Sequence, residues 1–266
     1  MIAHRNILGL FAAIALVAFP ALAGMDYQEI VDKTFPLAPG GSVSLENVNG
    51  DVIIEVWERA EVRVYAVKKA SSQDLLDRLK VEIDATSKSV EIDTKYPKNR
   101  RNRDHGEGDH HDHGYQGGST EVEYTLTIPR TATVDGVDLV NGNLLINGVE
   151  GGVDAETVNG NIEVREAAGS FGLESVNGNI ELYASRLGLD DEIDMDAVNG
   201  ELDLYISGST AAEIRAESLN GRLKNDFDIA VRKGKYVGSD FKGSVGGGGA
   251  RIDLETVNGS ISVHSW

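Results

Sequence analysis

Residues 156–164 read Glu-Thr-Val-Asn-Gly-Asn-Ile-Glu-Val, and residues 174–182 repeat them as Glu-Ser-Val-Asn-Gly-Asn-Ile-Glu-Leu. Looser copies surround five further Asn-Gly pairs, which begin at Asn49, Asn141, Asn199, Asn220 and Asn258. From position 142 onward the glycines of these pairs stand at 142, 160, 178, 200, 221 and 259. A period near twenty residues is typical of repeat architectures, in which a single repeat cannot bury its own apolar face. The sequence therefore predicts a fold made of stacked copies of one short unit.

Each copy has the pattern of two short strands. An apolar residue stands directly before the Asn, as Val158 does, and another stands three places after it, as Ile162 does. Most of the later copies carry a further apolar residue six places before the Asn, such as Val153, and charged residues lie between these positions. This alternation with a period of two predicts two β-strands per copy, each with one buried face.

The Asn-Gly pair predicts a tight turn, because both residues tolerate positive φ. A single pair would indicate a hairpin, and a meander of hairpins is one interpretation. Recurrence in the same column favours the corner of a β-solenoid, where Asn side chains stack about 4.8 Å apart and share amide hydrogen bonds. The predicted turn ladder consists of Asn141, Gly142, Asn159, Gly160, Asn177, Gly178, Asn199, Gly200, Asn220, Gly221, Asn258 and Gly259.

A column of acidic residues lies three places before the Asn. Stacking would bring these carboxylates within about 5 Å of one another, where like charges raise each other's pKa or recruit cations such as Ca²⁺. The alternative is a solvated face that keeps the protein in solution. The column includes Glu156, Glu174, Asp196, Glu217 and Glu255.

The composition excludes several function classes. The chain of 266 residues has 43 acidic and 25 basic residues and a formal net charge of -18. This charge argues against nucleic acid as a partner and against passive adsorption to an anionic membrane. The chain has no cysteine, so disulfides and thiolate chemistry are excluded. No Gly-x-Ser-x-Gly or Gly-x-x-x-x-Gly-Lys motif is present, which predicts a protein that is not an enzyme.

The order of segments predicts an exported, all-β protein. Residues 1–23 have the basic start, apolar run and small-residue cleavage site of a signal peptide, and no membrane-spanning segment is expected after cleavage. Residues 24–33 are expected to be a linker, and residues 34–266 a stacked-rung β-solenoid. One short helix is expected near residues 73–79, with Ser72 as its cap. The expected location is the periplasm, the cell envelope or the exterior.

An insert at residues 97–118 has no apolar periodicity and is expected to be a flexible surface loop. Imidazole and carboxylate groups at such close spacing are ligands for Zn, Ni or Cu. The alternative is a solvated, pH-responsive loop. No other cofactor is expected. The candidate ligands are His105, Asp109, His110, His111, Asp112 and His113.

The C-terminal part departs from the regular pattern. Residues 226–249 predict an irregular rung or loop before the last copy. Trp266, after that copy, is expected to be an aromatic lid on the open end of the solenoid, because terminal edges need protection.

Residues 41–52 (Gly-Ser-Val-Ser-Leu-Glu-Asn-Val-Asn-Gly-Asp-Val), residues 57–62 (Trp-Glu-Arg-Ala-Glu-Val) and the Glu-Thr-Val-Asn-Gly repeats together resemble the bacterial toast-rack domain of unknown function, a family labelled putative adhesin. The resemblance covers residues 34–263. It implies a stacked β-solenoid on an exported or membrane-attached envelope protein, and it brings no catalytic residues. The His-rich insert departs from the family pattern.

These observations predict a non-enzymatic cell-envelope protein that presents a rigid acidic β-surface. Its partner would be an unidentified envelope protein or cell-surface polymer. The alternative is a periplasmic protein that binds or buffers metal through the insert.

Overall fold

The computed structural model describes residues 25–97, 118–234 and 237–266. The predicted signal and all but the ends of the predicted insert lie outside this part of the chain. In chain order, the first elements are β1 (Tyr27–Pro36), β2 (Ser42–Asn49), β3 (Val52–Trp57), β4 (Glu61–Ala70), α1 (Gln73–Arg78), β5 (Lys80–Ala85), β6 (Ser89–Lys95), β7 (Thr120–Pro129), β8 (Thr133–Asn141), β9 (Leu144–Asn147) and β10 (Val153–Asn159). They are followed by β11 (Ile162–Ala168), β12 (Phe171–Asn177), β13 (Ile180–Arg186), β14 (Glu192–Asn199), β15 (Leu202–Ile206), β16 (Ala212–Asn220), β17 (Leu223–Asn225), β18 (Arg232–Lys233), β19 (Ser239–Val245), β20 (Ala250–Asn258) and β21 (Ile261–Ser265).

The strands form two large, largely parallel sheets. Sheet A has the order β1-β4-β7-β3-β9-β11-β13-β15-β21-β17, and sheet B has the order β18-β19-β16-β20-β14-β12-β10-β8-β2-β6-β5. A copy contributes one strand to each sheet, with the Asn-Gly corner between them. Strand β10 pairs in parallel with β8 and β12, not with the following strand β11. The copies are therefore stacked rungs in a solenoid-like arrangement, and the hairpin interpretation is wrong.

The core lies between the two sheets. On β10, Val153, Ala155 and Thr157 face inward and are buried, whereas Asp154 and Glu156 face outward and are exposed. Strand β11 buries Ile162 and Val164 in the same way. The period-two alternation predicted for both strands is confirmed, because an extended strand places successive side chains on opposite faces.

Antiparallel strands terminate both sheets at one end of the parallel stack and sheet B at the other end. At one end β4 pairs with β7, β1 pairs with β4, and β5 pairs with β6. At the other end β19 pairs with β16, and the short strand β18 pairs with β19. The expectation of a linker at residues 24–33 is wrong over residues 27–33, which belong to β1 and are paired along its whole length with β4.

The last copy does not stack last. Strands β20 and β21 lie between the β14–β15 rung and the β16–β17 rung, so the chain passes one rung position and returns to fill it. Trp266 follows β21 inside the stack and is 63% exposed, so the prediction that it covers the open end is wrong. The segment at 226–249, predicted to be irregular, supplies β18 and β19 instead.

The predicted short helix is present as α1. The Ser72 side chain accepts a hydrogen bond from the Leu75 backbone N–H at 3.3 Å, and Leu76 is buried. In the described residues, no helix has the length and apolar character needed to cross a membrane.

Candidate functional site

The Asn side chains of the corners form one continuous hydrogen-bonded ladder. Asn177, for example, donates from Nδ2 to Oδ1 of Asn159 at 3.0 Å and accepts from Nδ2 of Asn199 at 2.9 Å. Each amide donates to the rung on one side and accepts from the rung on the other, as stacking of identical residues predicts. In spatial order the ladder runs through Asn49, Asn141, Asn159, Asn177, Asn199, Asn258 and Asn220.

The glycines of the corners are required by the close approach of neighbouring rungs. A Cβ atom on Gly178 would lie 1.8 Å from the carbonyl oxygen of Gly160, and one on Gly200 would lie 1.9 Å from that of Gly178. Among the seven corner glycines, positive φ occurs at Gly50 (121°) and Gly160 (156°). No corner Asn, all of which lie in the described part of the chain, has positive φ, so the predicted reason for the pair, positive φ at both residues, is wrong for every corner, and backbone contact between rungs is the reason instead.

A second ladder lies two residues after the Asn at five of the seven corners. Oδ1 of Asn161 accepts from the backbone N–H of Asn179 at 2.9 Å, and Oδ1 of Asn179 accepts from the backbone N–H of Glu201 at 2.9 Å. Asn143 and Asp51 continue the series in the rungs before. Asn at positions 143, 161 and 179 is a sequence signal for this ladder, but only the first Asn of each corner was predicted to form one.

The acidic column lies on the outer face of sheet B. Glu156, Glu174 and Asp196 are direct neighbours on adjacent strands, and Glu255 and Glu217 continue the column. The column therefore follows the spatial order of the rungs and not the order of the sequence.

The apolar residues directly before each Asn also face outward, which corrects their assignment to a buried face. Five of them are between 38% and 49% exposed, namely Val48, Val140, Val198, Leu219 and Val257. These residues stand one place before the Asn, and the buried apolar residues stand six places before it, an odd separation. Because successive side chains of a strand point to opposite faces, the two positions lie on opposite faces. We call Val176, Val198, Val257 and Leu219 the valine column.

The acidic column and the valine column form the two sides of a groove along the stack. The groove has a volume of about 410 Å³. Its lining residues are Glu156, Glu174, Ser175, Val176, Asp196, Ala197, Val198, Glu217, Leu219, Glu255, Thr256 and Val257. One wall is negatively charged and the other is apolar, a combination that suits a ligand with cationic and apolar groups along its length.

Asp196 has the most unusual electrostatic environment in the groove. Burial, reinforced by the negative charges of Asp194, Glu255, Glu174 and Asp253, raises its pKa from 3.8 to about 6. Burial is the larger of the two causes, and the neighbouring carboxylates add to it, since like charges in close contact disfavour ionisation. Near neutral pH the Asp196 carboxylate is still mostly ionised, which lowers the free energy of unfolding. A cationic ligand would reduce this loss.

At one end of the acidic column, a cation of the same chain partly compensates the carboxylates. The Arg215 guanidinium contacts Asp253 at 3.2 Å and Glu255 and Glu217 at 3.0 Å each. Among the described residues, no ion pair involves Glu156, Glu174 or Asp196. The uncompensated part of the groove is therefore the stretch formed by β10, β12 and β14.

The outer face of sheet A carries a different ladder, of aromatic rings. The rings of Tyr183 and Tyr205 stack with centroids 4.1 Å apart, and the Tyr205 and His264 rings follow at 4.5 Å. The Tyr183 hydroxyl donates to Glu181 at 2.6 Å, and this carboxylate holds the pKa of the tyrosine above its usual range. Each of the three residues stands six places after a corner Asn, a signal that the predicted columns left out, and His264 lies beside Tyr205 because the last copy stacks between two earlier ones.

The candidate metal ligands His105, Asp109, His110, His111, Asp112 and His113 lie outside the described residues. Within residues 25–97, 118–234 and 237–266, no group of three or more His, Asp or Glu side chains is placed to hold a metal ion. The predicted metal site of the insert stays a prediction.

Comparisons with known proteins identify similar structures but no family. No family model matches the chain, and no curated protein matches its sequence. A "putative cell adhesion protein" from Clostridium sporogenes is 14% identical, with a TM-score of 0.49 over 90% of this chain and 99% of its own. A "putative adhesin" from Bacteroides fragilis is 12% identical, with a TM-score of 0.42 over 88% and 97%. A "putative lipid binding protein" from Parabacteroides distasonis has a TM-score of 0.33 and 11% identity over 91% and 98%.

Proposed function

We propose that this chain is a non-enzymatic, exported cell-envelope protein that binds a partner through the groove on sheet B. The observation that carries the proposal is the juxtaposition of three uncompensated carboxylates, at Glu156, Glu174 and Asp196, with the outward-facing valine column. The partner is an envelope protein or cell-surface polymer with cationic and apolar groups.

The rigidity of the surface supports a binding role. Neighbouring rungs are joined by parallel backbone pairing, by the Asn ladder and by direct backbone contact at the glycines. A groove on such a framework needs little ordering when a ligand binds, and preorganisation of this kind increases affinity. In a β-solenoid of this kind, the spacing of the rungs sets the spacing of the carboxylates and valines that would bind the partner.

The proposal is tested with a fluorescent peptide of alternating lysine and valine, whose binding to the purified protein is measured by anisotropy. Replacing all three carboxylates (Glu156→Gln, Glu174→Gln, Asp196→Asn) should weaken binding about tenfold or more. The matched control removes three carboxylates from the outer face of sheet A (Glu163→Gln, Glu181→Gln, Asp203→Asn). Equal weakening by both variants would show attraction by net charge alone and would contradict a site in the groove.

A second variant set separates the two walls of the groove. Val176→Ser, Val198→Ser and Val257→Ser together leave every charge in place and remove apolar contact area from the groove. We expect weaker peptide binding with an unchanged dependence on salt, because only the apolar contribution is lost. Adherence of the same labelled variants to bacterial cell surfaces then tests whether the groove serves attachment.

The metal-binding alternative is tested separately, by calorimetric titration of Zn, Ni, Cu and Ca into the full chain and into a variant without residues 99–118. Transition-metal binding that disappears with the insert would support it. Ca²⁺ binding that survives the deletion would point to the acidic column.

A further inference from the structure

Strand β1 is an open edge of sheet A. Its ten residues pair with β4 on one side, and within the described residues no strand lies on the other side. Tyr27 and Ile30 are 41% and 37% exposed on it. An unpaired edge strand of this length is a template for pairing with another strand, and proteins usually protect such edges.

The sequence of β1 is complementary to itself when read in the antiparallel direction. With Val31 placed opposite Val31 of a second copy, Glu29 lies opposite Lys33, and Tyr27 lies opposite Phe35. All five of these residues belong to the same face of the strand, because they are separated by even numbers of positions. Each charged pair and each aromatic pair occurs twice, as two-fold symmetry requires.

Other registers lose this complementarity. A shift of one residue places the inner face of one copy beside the outer face of the other. A shift of two residues in one direction places Asp32 opposite Asp32, and in the other direction it places Tyr27 opposite Lys33. Only the register centred on Val31 unites Glu29 with Lys33 and Tyr27 with Phe35.

The contacts that β1 makes with the rest of the described chain leave Glu29 and Lys33 able to pair with a second copy. Oε2 of Glu29 binds Lys68 at 2.7 Å, which leaves Oε1 for a second cation. Lys33 is exposed and has no ion pair among the described residues. Asp32, which would face Ile30 of the second copy, is already paired with Arg63 at 2.7 Å.

We propose that two copies of this chain associate through β1, in antiparallel pairing centred on Val31. The two A sheets then become one continuous sheet, and the exposed apolar residues of both edges are covered. This inference is independent of the groove, which lies on sheet B.

The absence of native cysteine provides a direct test. Opposed Cα atoms in an antiparallel pair are about 4.5–5.5 Å apart, within the range of a disulfide. Val31→Cys should therefore form a cross-linked dimer under mild oxidation. Glu82→Cys, on the exposed edge strand β5 of sheet B, is the matched control and should remain largely monomeric.

Sedimentation velocity of the full chain gives the second measurement. Lys33→Glu replaces both attractive pairs with repulsive ones and should weaken the dimer about tenfold. Lys80→Glu, the same charge change on β5, should alter dimerisation less than about twofold. The proposal is overturned if the wild type remains monomeric throughout the micromolar range. It is also overturned if Val31→Cys cross-links no faster than the control, or if the two lysine variants behave alike.

Discussion

The side chain of Asn258 donates a hydrogen bond to Asn199 at 2.9 Å across 59 residues of sequence. Asn220, the next copy along the chain after Asn199, instead donates to Asn258 at 2.9 Å. The final copy thus separates two copies that are consecutive in sequence, and both the Asn ladder and the acidic column pass through it. This insertion also brings His264 against Tyr205.

Engineered disulfides can test the order of the rungs. Asp203 and Ser262 face each other on adjacent parallel strands, so Asp203→Cys with Ser262→Cys should form an internal disulfide readily. Asp203→Cys with Lys224→Cys places the thiols two rungs apart, about 9.6 Å, and should not. Non-reducing electrophoresis and peptide mapping distinguish the two. Stacking in sequence order would reverse the outcome.

The close approach of neighbouring rungs at the corner glycines predicts that a single added methyl group strongly destabilises the protein. Gly178→Ala places a Cβ 1.8 Å from the carbonyl oxygen of Gly160, and neither backbone can move without disturbing its rung. We expect the free energy of unfolding to fall by about 3 kcal/mol, measured by urea denaturation. Gly172→Ala is the matched control on the same copy, since its nearest atom beyond its chain neighbours is an Asp154 carboxyl atom at 3.7 Å. Comparable losses in both variants would argue against contact between rungs as the cause.

The Asn ladder predicts that the cost of a substitution depends on position. Asn177 makes ladder hydrogen bonds to both neighbours, whereas Asn220 makes one, to Asn258. Asn177→Ala should therefore lower the free energy of unfolding by about 1–2 kcal/mol, and Asn220→Ala by about half as much. The exposure of these side chains keeps both values modest, because water replaces part of each lost bond. Thermal and urea unfolding of the two variants would detect the difference, and equal costs would contradict a cooperative ladder.

The raised pKa of Asp196 predicts that the free energy of unfolding depends on pH. Its pKa in the folded protein, about 6, lies above the ordinary value of 3.8, so ionisation of this group opposes folding. Below about pH 4 the group is protonated in both the folded and the unfolded protein and does not lower the free energy of unfolding. As the pH rises through about 6, the free energy of unfolding falls because the group must ionise in the folded protein. Asp196→Asn should therefore raise the free energy of unfolding by about 1 kcal/mol at about pH 7.5, after allowance for partial exposure.

The same substitution should have little effect at about pH 4, where Asp196 is protonated in the folded protein. Asp84→Asn, at an exposed carboxylate on β5 away from the acidic column, should change stability little at either pH. Urea denaturation at the two pH values measures both variants. A gain from Asp196→Asn that is the same at both pH values would exclude ionisation of Asp196 as its cause.

Much of the architecture could be predicted from local pattern. The alternation around Val153 and Ile162 indicated paired strands, and the recurrence of Asn-Gly in one column indicated stacking, because identical polar side chains can be satisfied by copies of themselves. Only one of the two walls of the candidate groove could be predicted from the sequence. Its acids were identified, but the apolar wall at Val176 and Val198 was assigned to the core, since hydrophobicity alone does not state which face a residue occupies.

The repeat unit, its two strands and the residues of its corner follow from side-chain chemistry within about twenty residues of the chain, so they could be predicted from local pattern. Which copies are neighbours, the edge strand at residues 27–33 and the groove shared by carboxylates and valines emerge only from the folded arrangement. Parallel rungs of similar sequence offer nearly equivalent places for a returning strand, so local pattern does not select among them. The order among them depends on how the connecting segments, such as the one that forms β18 and β19, pack and close the stack.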